Sequence, residues 1–189
     1  MRLPIYLFGH PVLRAENKDV DTSMEGLSEL IDNMFQTMYA SEGVGLAAPQ
    51  IGKNLRLVVI DADPVGDKFP ECAGRRLTLI NPEVEVLDGD PVSRSEGCLS
   101  VPGLSEDVKR VEHIRLTWTD ENLQRRSEEM TGFLARIVQH ECDHLSGVIY
   151  VDKIAPIRRQ LIRNKLRAIA AGHSIPDYPY RIDPAARRR

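Results

Sequence analysis

Hydrophobic residues near both ends of the chain recur at the three- and four-residue spacing of amphipathic helices. The first helix is predicted to begin with the capping box of residues 22–25, to extend for about 17 residues and to end at 41–43. Its apolar stripe comprises Met24, Leu27, Ile31, Met34, Phe35 and Met38. The last helix is predicted over 154–171, with Pro156 in its first turn and Gly172 at its end. Its inward positions are Ile157, Leu161, Ile162, Leu166 and Ile169.

Short apolar runs separated by Gly, Pro, Asp and Asn lie between these helices. Such punctuation is typical of a mainly antiparallel sheet. Residues 61–75 are predicted to be rich in loops. The predicted strands are residues 44–51, 55–60, 77–80, 83–87 and 113–119, the last of which contains Trp118.

A third helical pattern, over residues 131–145, is apolar on two adjacent stripes and ends at Gly147. A helix with such a wide apolar face is expected in the centre of a protein. Its polar members therefore need an explanation, because burying an uncompensated polar group costs several kcal/mol. The stripes are Phe133, Ile137, His140 and His144, and Leu134, Val138, Glu141 and Leu145.

The composition is that of a soluble globular protein, with 42% hydrophobic and 28% charged residues among 189. No repeat or linker divides the chain, so we expect one domain over residues 1–171 and an extended tail over 172–189. No apolar run approaches the roughly 18 residues of a membrane span. Three cysteines and an N-terminus without the features of a signal peptide favour a reducing cytoplasm.

Charge is distributed unevenly along the chain. Residues 151–189 hold ten lysines or arginines and three aspartates and thus carry +7, so the first 150 residues carry −10. An acidic body excludes a general binder of polyanions, whereas the basic end could contact one. Solvated helix charges are the simpler interpretation of that basic end.

The run His140-Glu141-Cys142-Asp143-His144 is the strongest chemical signal. Histidines four residues apart on a helix can converge on one cation, and Glu141 then lies beside the cation to handle a proton. A buried hydrogen-bonded cluster is the competing interpretation. A catalytic site also needs a third ligand and an open position. Zinc proteases take that ligand from downstream, but no Glu follows Glu141, and Tyr150 stands where a downstream His would be.

The third ligand is therefore expected upstream, where the candidates are Cys72, Cys98, His10 and His113. Cys98 stands out, because Gly97 allows a close approach and residues 96–100 form a polar frame. Cys142 is about 200° around the helix from His140 and is expected to point away from the metal. Cys72 and Cys142 are interpreted as structural thiols.

Residues 43–50 match the Gly-x-Gly-x-x-Ala pattern of dinucleotide sites, but they follow a helix and lead into extended chain, which is the wrong context. Two glycines here instead let a strand edge lie against another backbone, such as a peptide substrate. Gln50 then supplies a neutral amide donor that could meet a developing oxyanion.

On these segments the sequence resembles the peptide deformylases, which remove the formyl group from the starting methionine of nascent bacterial and organellar proteins. Residues 43–50, 96–100 and 139–144 are similar to the three family motifs, in the family's order and at its usual separations. The resemblance covers roughly residues 3–170. It implies an α+β domain in which antiparallel sheets surround a central metal-bearing helix, with an N-terminal helix and a basic C-terminal helix.

The resemblance also implies roles for individual residues. The implied metal ligands are Cys98, His140 and His144. Glu141 is the implied general acid and base, and the Gln50 amide and the Leu99 backbone N–H are the implied oxyanion donors. The implied substrate groove is lined by Val44, Gly45 and Gly97, and we expect Phe133 and Ile137 to form the methionine pocket with Val44.

The type of ligand alone favours zinc. The resemblance points instead to ferrous iron as the native ion, with zinc, nickel or cobalt as ions that a purified sample can hold. The expected substrates are N-formylmethionyl nascent peptides, which would release formate. A further family expectation is that the basic C-terminal helix docks on the ribosome. No membrane partner and no sequence-specific nucleic acid are expected.

Two arginines depart from the family pattern. Arg94 and Arg136 fall where other members often bring aliphatic side chains toward the methionine pocket. We expect either that their stems line the pocket while the guanidinium groups reach water, or that both side chains leave it.

Two other functions compete with a deformylase. A zinc endopeptidase would cleave internal peptide bonds, but the missing downstream ligand argues against it. A non-catalytic module with a structural metal would normally have four protein ligands, and Glu141 and Gln50 would then have no role.

Overall fold

Residues 1–185, which the computed structural model describes, form three α-helices, nine strands and five short 3₁₀ helices. The helices are α1 (Leu27–Ala40), α2 (Gly132–Leu145) and α3 (Pro156–Ala170). The strands are β1 (Ile5–Tyr6), β2 (Gly45–Ala47), β3 (Leu57–Asp61), β4 (Arg76–Val86), β5 (Pro91–Cys98), β6 (Val101–Val111), β7 (His113–Thr119), β8 (Arg125–Thr131) and β9 (Tyr180–Arg181). The end of the predicted tail, residues 186–189, lies outside the described part of the chain.

Most of the strands pair in antiparallel fashion. Five form one sheet in the order β2-β3-β4-β7-β8, and β5 pairs with β6 as a separate hairpin. Strands β1 and β9 form a short parallel pair that joins the two ends of the described chain. The predicted α+β class with antiparallel sheets is confirmed.

Helix α2 lies against the five-stranded sheet and contributes Leu134, Val138 and Leu145 to one of the two hydrophobic cores. Its N-terminus is stabilised from outside the helix, because the Glu71 carboxylate accepts a hydrogen bond from the Phe133 N–H (2.6 Å). Seven of its eight stripe residues are buried, so the predicted central helix is confirmed and its polar residues are held inside the protein.

The N-terminal helix begins later than predicted. Gly26, with a φ of 79°, precedes α1, and the helix has 14 residues. The prediction of a capping box at residues 22–25 is wrong, because these residues precede the helix. The Asp21 carboxylate accepts hydrogen bonds from both the backbone N–H and the hydroxyl of Ser23, which closes a local turn here. Met24 therefore lies outside the helix, while the rest of the predicted stripe is buried.

Predicted inward positions on α3 are only partly correct. Ile162, Leu166 and Ile169 are buried, but Ile157 and Leu161 are 63% and 66% exposed. The first turns of α3 therefore present apolar as well as basic side chains to solvent. Within residues 1–185, no helix combines the length and apolarity that crossing a membrane requires.

The sheet also differs from the prediction. Of residues 44–51, only Gly45–Ala47 is a strand, and Ala48–Ile51 is a 3₁₀ turn. The predicted strands 77–80 and 83–87 belong to one strand, β4, with a bulge between Ile80 and Glu83. Strands β5, β6 and β8 were not predicted, because charged residues occupy many of their positions.

Candidate metal centre and substrate groove

Two elements bring the three predicted ligands together. Cys98 ends strand β5, and His140 and His144 project from consecutive turns of α2. One ligand atom from each residue lies within 4.8 Å of the others, and Cys98 Sγ is 3.4 Å from His144 Nε2. Among residues 1–185, Cys98, His140 and His144 form the group of potential ligands that lie close enough together to hold a metal ion.

His140 is oriented by a carboxylate on the neighbouring hairpin. Its Nδ1 lies 2.9 Å from Glu96 Oε2, which leaves Nε2 for a cation. Burial opposes a charged ring, but hydrogen bonds with Cys98 and Glu96 outweigh it and raise the pKa of His140. The same negative surroundings favour a divalent cation.

His144 differs from His140 in its surroundings. Burial and the nearby positive charges of His140 and Arg14 lower its pKa well below the ordinary value, so the ring is neutral, which is the form that binds metals. A sulfur and two imidazole nitrogens are a donor set that suits zinc or ferrous iron. These three side chains therefore fit a metal of this kind.

Glu96 belongs to a buried ion-pair network. Arg110 and Arg136 both donate to its carboxylate, at 2.7 and 2.6 Å, and Arg110 also reaches Asp143 on α2 at 2.8 Å. Burial alone would raise the pKa of Glu96, but the His140 and Arg110 contacts hold it well below the ordinary value. The network therefore keeps a fixed negative charge behind His140.

Arg136 corrects one expectation from the sequence. Its guanidinium group does not reach water: the side chain is 1% exposed and donates to Glu96, Glu112 and the carbonyls of Val92 and Val108. Arg94 is 39% exposed, pairs with Glu112 and lies over the Phe69 ring. Only Arg94 thus fits the picture of a guanidinium group at the surface.

Glu141 lies between the metal centre and strand β2. Burial raises the pKa of its carboxyl to about 7, and the nearby Glu96 charge adds to this effect. Its Oε2 is buried without a hydrogen-bond partner in the described protein, and its carboxyl group packs directly over Gly45. A buried carboxylate whose pKa is close to neutrality is suited to accepting and returning a proton.

Gln50 is fixed beside the cysteine ligand. Its Oε1 accepts from the Ala47 N–H at 2.8 Å, which orients the amide. Its Nε2 lies 3.4 Å from Cys98 Sγ and 3.2 Å from Ser100 Oγ. The amide N–H group therefore faces the metal centre, as an oxyanion donor would.

A cavity of about 930 Å³ opens above these residues. Every predicted site residue except His144 lines it, and His144 is buried beside Cys98. Predicted members of its wall are Val44, Gly45, Gln50, Gly97, Cys98, Leu99, Phe133, Ile137, His140 and Glu141. Phe133 is stacked on Phe69, with ring centroids 4.0 Å apart.

The other candidate ligands lie elsewhere. His10 accepts from the Val12 N–H, and His113 contacts Asp88 at the surface. Burial raises the pKa of Cys72 to about 11 and also raises that of Cys142, so both thiols are protonated near neutrality. Neither cysteine belongs to the metal group.

Sequence reasoning missed several residues that support the site. Arg110 lies on the buried face of β6 together with Leu104, Glu106 and Val108, a period-two pattern hidden by its charged members. Tyr178 lines the cavity from the C-terminal tail, where no local pattern marks it.

Comparisons with known proteins point to one family. The family model for polypeptide deformylase matches residues 2–160. The chain is 41% identical to a peptide deformylase from Flavobacterium psychrophilum over 99% of this chain and 100% of that protein. It is 43% identical to one from Salinibacter ruber, covering 95% and 94%. The crystal structure of a peptide deformylase from Legionella pneumophila superposes with a TM-score of 0.77 at 40% identity, covering 88% of this chain and 94% of that one.

Proposed function

Since the chain belongs to the polypeptide deformylase family and is a metallohydrolase that removes the formyl group from an N-terminal methionine, we propose that Cys98, His140 and His144 hold its catalytic ion. The observation that carries this assignment is the approach of one sulfur and two imidazoles within 4.8 Å, with Glu141 beside them on the same cavity. When bound, a divalent ion supplies a Lewis acid that polarises the formyl carbonyl and acidifies an attacking water.

Glu141 acts as the general base and then as the general acid. Its carboxylate accepts a proton from the water whose oxygen bonds to the formyl carbon. It returns a proton to the amine as the carbon–nitrogen bond breaks, so the products are formate and a free N-terminus. The carboxyl pKa of about 7 allows both transfers at neutral pH.

Negative charge that develops on the formyl oxygen is stabilised by neutral donors. The Gln50 amide is held facing Cys98, and Leu99, whose backbone N–H is the second donor of this proposal, lines the same cavity. Loss of one such donor typically costs about 3–4 kcal/mol in other enzymes.

The peptide lies along strand edges, where the backbones of Gly45 and Gly97 hydrogen-bond to it. Val44, Phe133 and Ile137 form the apolar pocket for the methionine side chain, since all three line the cavity. Arg136 also lines the cavity, but buried partners already accept hydrogen bonds from all three of its guanidinium nitrogens.

Formate release tests the function. Anaerobically purified protein loaded with iron is expected to release one formate per formyl-methionyl peptide and to leave the acetyl-methionyl peptide intact. Loaded, folded protein that releases no formate from the formyl peptide would contradict the proposal.

We also propose ferrous iron as the native ion. Under anaerobic conditions the activities of the iron, zinc and nickel forms are expected to differ. Oxygen is expected to inactivate the iron form by oxidising the ion and by exposing the Cys98 thiolate to oxidation. Equal activity of all three forms, with no effect of oxygen, would remove the claim for iron.

We also propose that the enzyme is cytoplasmic and docks on the ribosome through the basic helix α3. Arg163, Lys165 and Arg167 are exposed on it. Reversing Arg163 and Arg167 to Glu is expected to abolish salt-sensitive ribosome binding. The matched reversal of the exposed Lys109 and Arg125 is expected to preserve it, and equal binding by both variants would contradict the proposal.

A further inference from the structure

The two ends of the described chain meet beside the active-site loop, residues 98–100. Strand β9 pairs in parallel with β1, where Ile5 N–H donates to the Pro179 carbonyl and Leu7 N–H donates to the Arg181 carbonyl, each at 2.9 Å. Ile182, directly after β9, is 9% exposed and belongs to the hydrophobic core. The C-terminal segment is therefore anchored on the body by backbone hydrogen bonds and by apolar burial.

This anchored pair contacts the loop at two successive carbonyls. Phe8 N–H, just after β1, donates to the Ser100 carbonyl at 2.7 Å. Tyr178, just before β9, donates its hydroxyl to the Leu99 carbonyl at 2.6 Å. Each end of the chain thus fixes one peptide plane of the loop.

The segment that carries Tyr178 is also part of the groove. Residues 174–178 line the same cavity as Gln50, Glu141 and two of the metal ligands, Cys98 and His140. Tyr178 is half-buried and packs against the hydrophobic core, so its ring is held in place. The C-terminal segment therefore lies next to the reacting groups and not on a remote surface.

A backbone N–H donates usefully to an oxyanion only if its peptide plane is held in the correct direction before the reaction. The N–H of Leu99 belongs to the peptide plane that precedes Leu99, and its carbonyl belongs to the plane that follows. Only the φ and ψ angles of Leu99 separate the two planes. A hydrogen bond to the carbonyl therefore restricts the direction of the N–H.

We propose that Tyr178 is a positioning residue for the oxyanion site: held by the β1–β9 pair, its hydroxyl fixes the Leu99 carbonyl and thereby aims the Leu99 N–H into the cavity. The inference rests on the proposed function, in which Leu99 is an oxyanion donor. It makes the C-terminal segment, which lies outside the three sequence motifs, part of the catalytic apparatus.

Removing one hydroxyl tests the proposal. Tyr178→Phe keeps the ring and its packing but removes the donor. We expect kcat for deformylation to fall about tenfold while KM changes less than about twofold, because the lost contact acts on the transition state. Tyr180→Phe is the matched control, since that hydroxyl lies on β9 and makes no hydrogen bond within residues 1–185. It is expected to keep wild-type kcat.

A second measurement does not depend on activity. Amide hydrogen exchange at Leu99 and Ser100 in the metal-loaded protein is expected to rise at least about fivefold in Tyr178→Phe and to stay unchanged in Tyr180→Phe. Unfolding midpoints of both variants should stay close to that of the wild type.

The outcomes separate the two proposals. Unchanged kcat in Tyr178→Phe, or unchanged exchange at residues 99 and 100, overturns the positioning role. Loss of activity accompanied by a large fall in the unfolding midpoint also overturns it, in favour of a merely structural role. A wild-type protein that releases no formate counts against the proposed function, and exchange then still decides whether Tyr178 holds the loop.

Discussion

At the scale of single residues, the properties of Glu141 follow from where it is buried. Its carboxyl group is enclosed by α2 and β2, so burial raises its pKa to about 7. The same enclosure leaves Oε2 without a hydrogen-bond partner among residues 1–185. An uncommitted carboxylate oxygen next to the metal ligands is available to the substrate and its attacking water.

Glu141→Gln keeps the size of the side chain but removes its ability to accept a proton. We expect kcat for formate release to fall about 10²- to 10⁴-fold, because general base catalysis contributes that much in other enzymes. Metal content should remain at the wild-type level, since Glu141 is not a ligand. Steady-state assays combined with metal analysis check this, and loss of the metal together with the activity would show that Glu141 serves to hold the ion.

Gly45 is the residue that leaves room for Glu141. A Cβ atom added at Gly45 would lie 2.6 Å from Glu141 Cδ, closer than atoms can approach without a shift. Gly45→Ala should therefore displace the carboxylate and lower kcat at least about tenfold, as small displacements of catalytic groups do. Kinetic assays and a crystal structure of the variant check the displacement. Wild-type kcat would mean that Glu141 need not occupy its observed position.

At the scale of elements, the contact between α2 and the β5–β6 hairpin is made by buried charges. Arg136 on α2 joins Glu96 on β5 to Glu112, which directly follows β6. The hairpin supplies Cys98 and the helix supplies both histidines, so the same contact sets the position of the sulfur relative to the imidazoles.

Arg136→Leu would leave two buried carboxylates without a major partner. We expect the free energy of unfolding to fall by about 3–5 kcal/mol, which is typical when one member of a buried ion pair is removed. Arg94→Leu is the matched control, because Arg94 is half-exposed and contacts the same Glu112; its loss should cost less than about 1 kcal/mol. Urea unfolding of both variants measures the difference, and equal losses would contradict the role assigned to Arg136.

Elements were predictable from the sequence where hydrophobic periodicity is local and strong. Strand β7 has the predicted bounds, and α2 differs from its prediction by a single residue at the start. Strands β5 and β6 could not be predicted because Glu96, Glu106 and Arg110 are buried by pairing with opposite charges, and the partners meet only once the hairpin and α3 have folded against each other. Charged residues that are buried in pairs cannot be distinguished from solvated ones by pattern alone.

At the scale of the whole molecule, the free energy of unfolding depends on carboxyl groups that are ionised in the folded state. Burial alone would raise the pKa of Glu112, but hydrogen bonds from Arg94 and Arg136 lower it. Glu96 is shifted in the same direction by His140 and Arg110. A folded-state pKa below the unfolded value contributes stability that is fully present above the unfolded value, about 4.3, and is lost as the pH falls toward the folded value.

The free energy of unfolding is therefore expected to fall as the pH drops below about 4.5. Glu112→Gln removes one of the responsible carboxylates, so its stability should be lower at neutral pH and should decline less steeply on acidification. Urea unfolding at several pH values between about 6 and 3 measures both slopes. Identical slopes for the wild type and the variant would contradict this assignment.

Contacts between residues that are far apart in the sequence were the hardest features to predict. The metal ligands and Glu141 were recognisable because each lies inside a short motif with its own spacing. Tyr178 and Leu99 are 79 residues apart, and the pairing of β1 with β9 involves two residues of each strand. No periodicity in the sequence encodes such contacts, because they arise only after the core has brought the ends of the chain together.

The most direct test of the account is the identity of the atoms bound to the ion. X-ray absorption spectroscopy of the zinc-loaded protein is expected to show one sulfur at about 2.3 Å and two imidazole nitrogens at about 2.0–2.1 Å. In Cys98→Ala the sulfur contribution should disappear, whereas Cys142→Ala should leave it unchanged. A metal shell without sulfur in the folded, reduced wild-type protein would contradict the account.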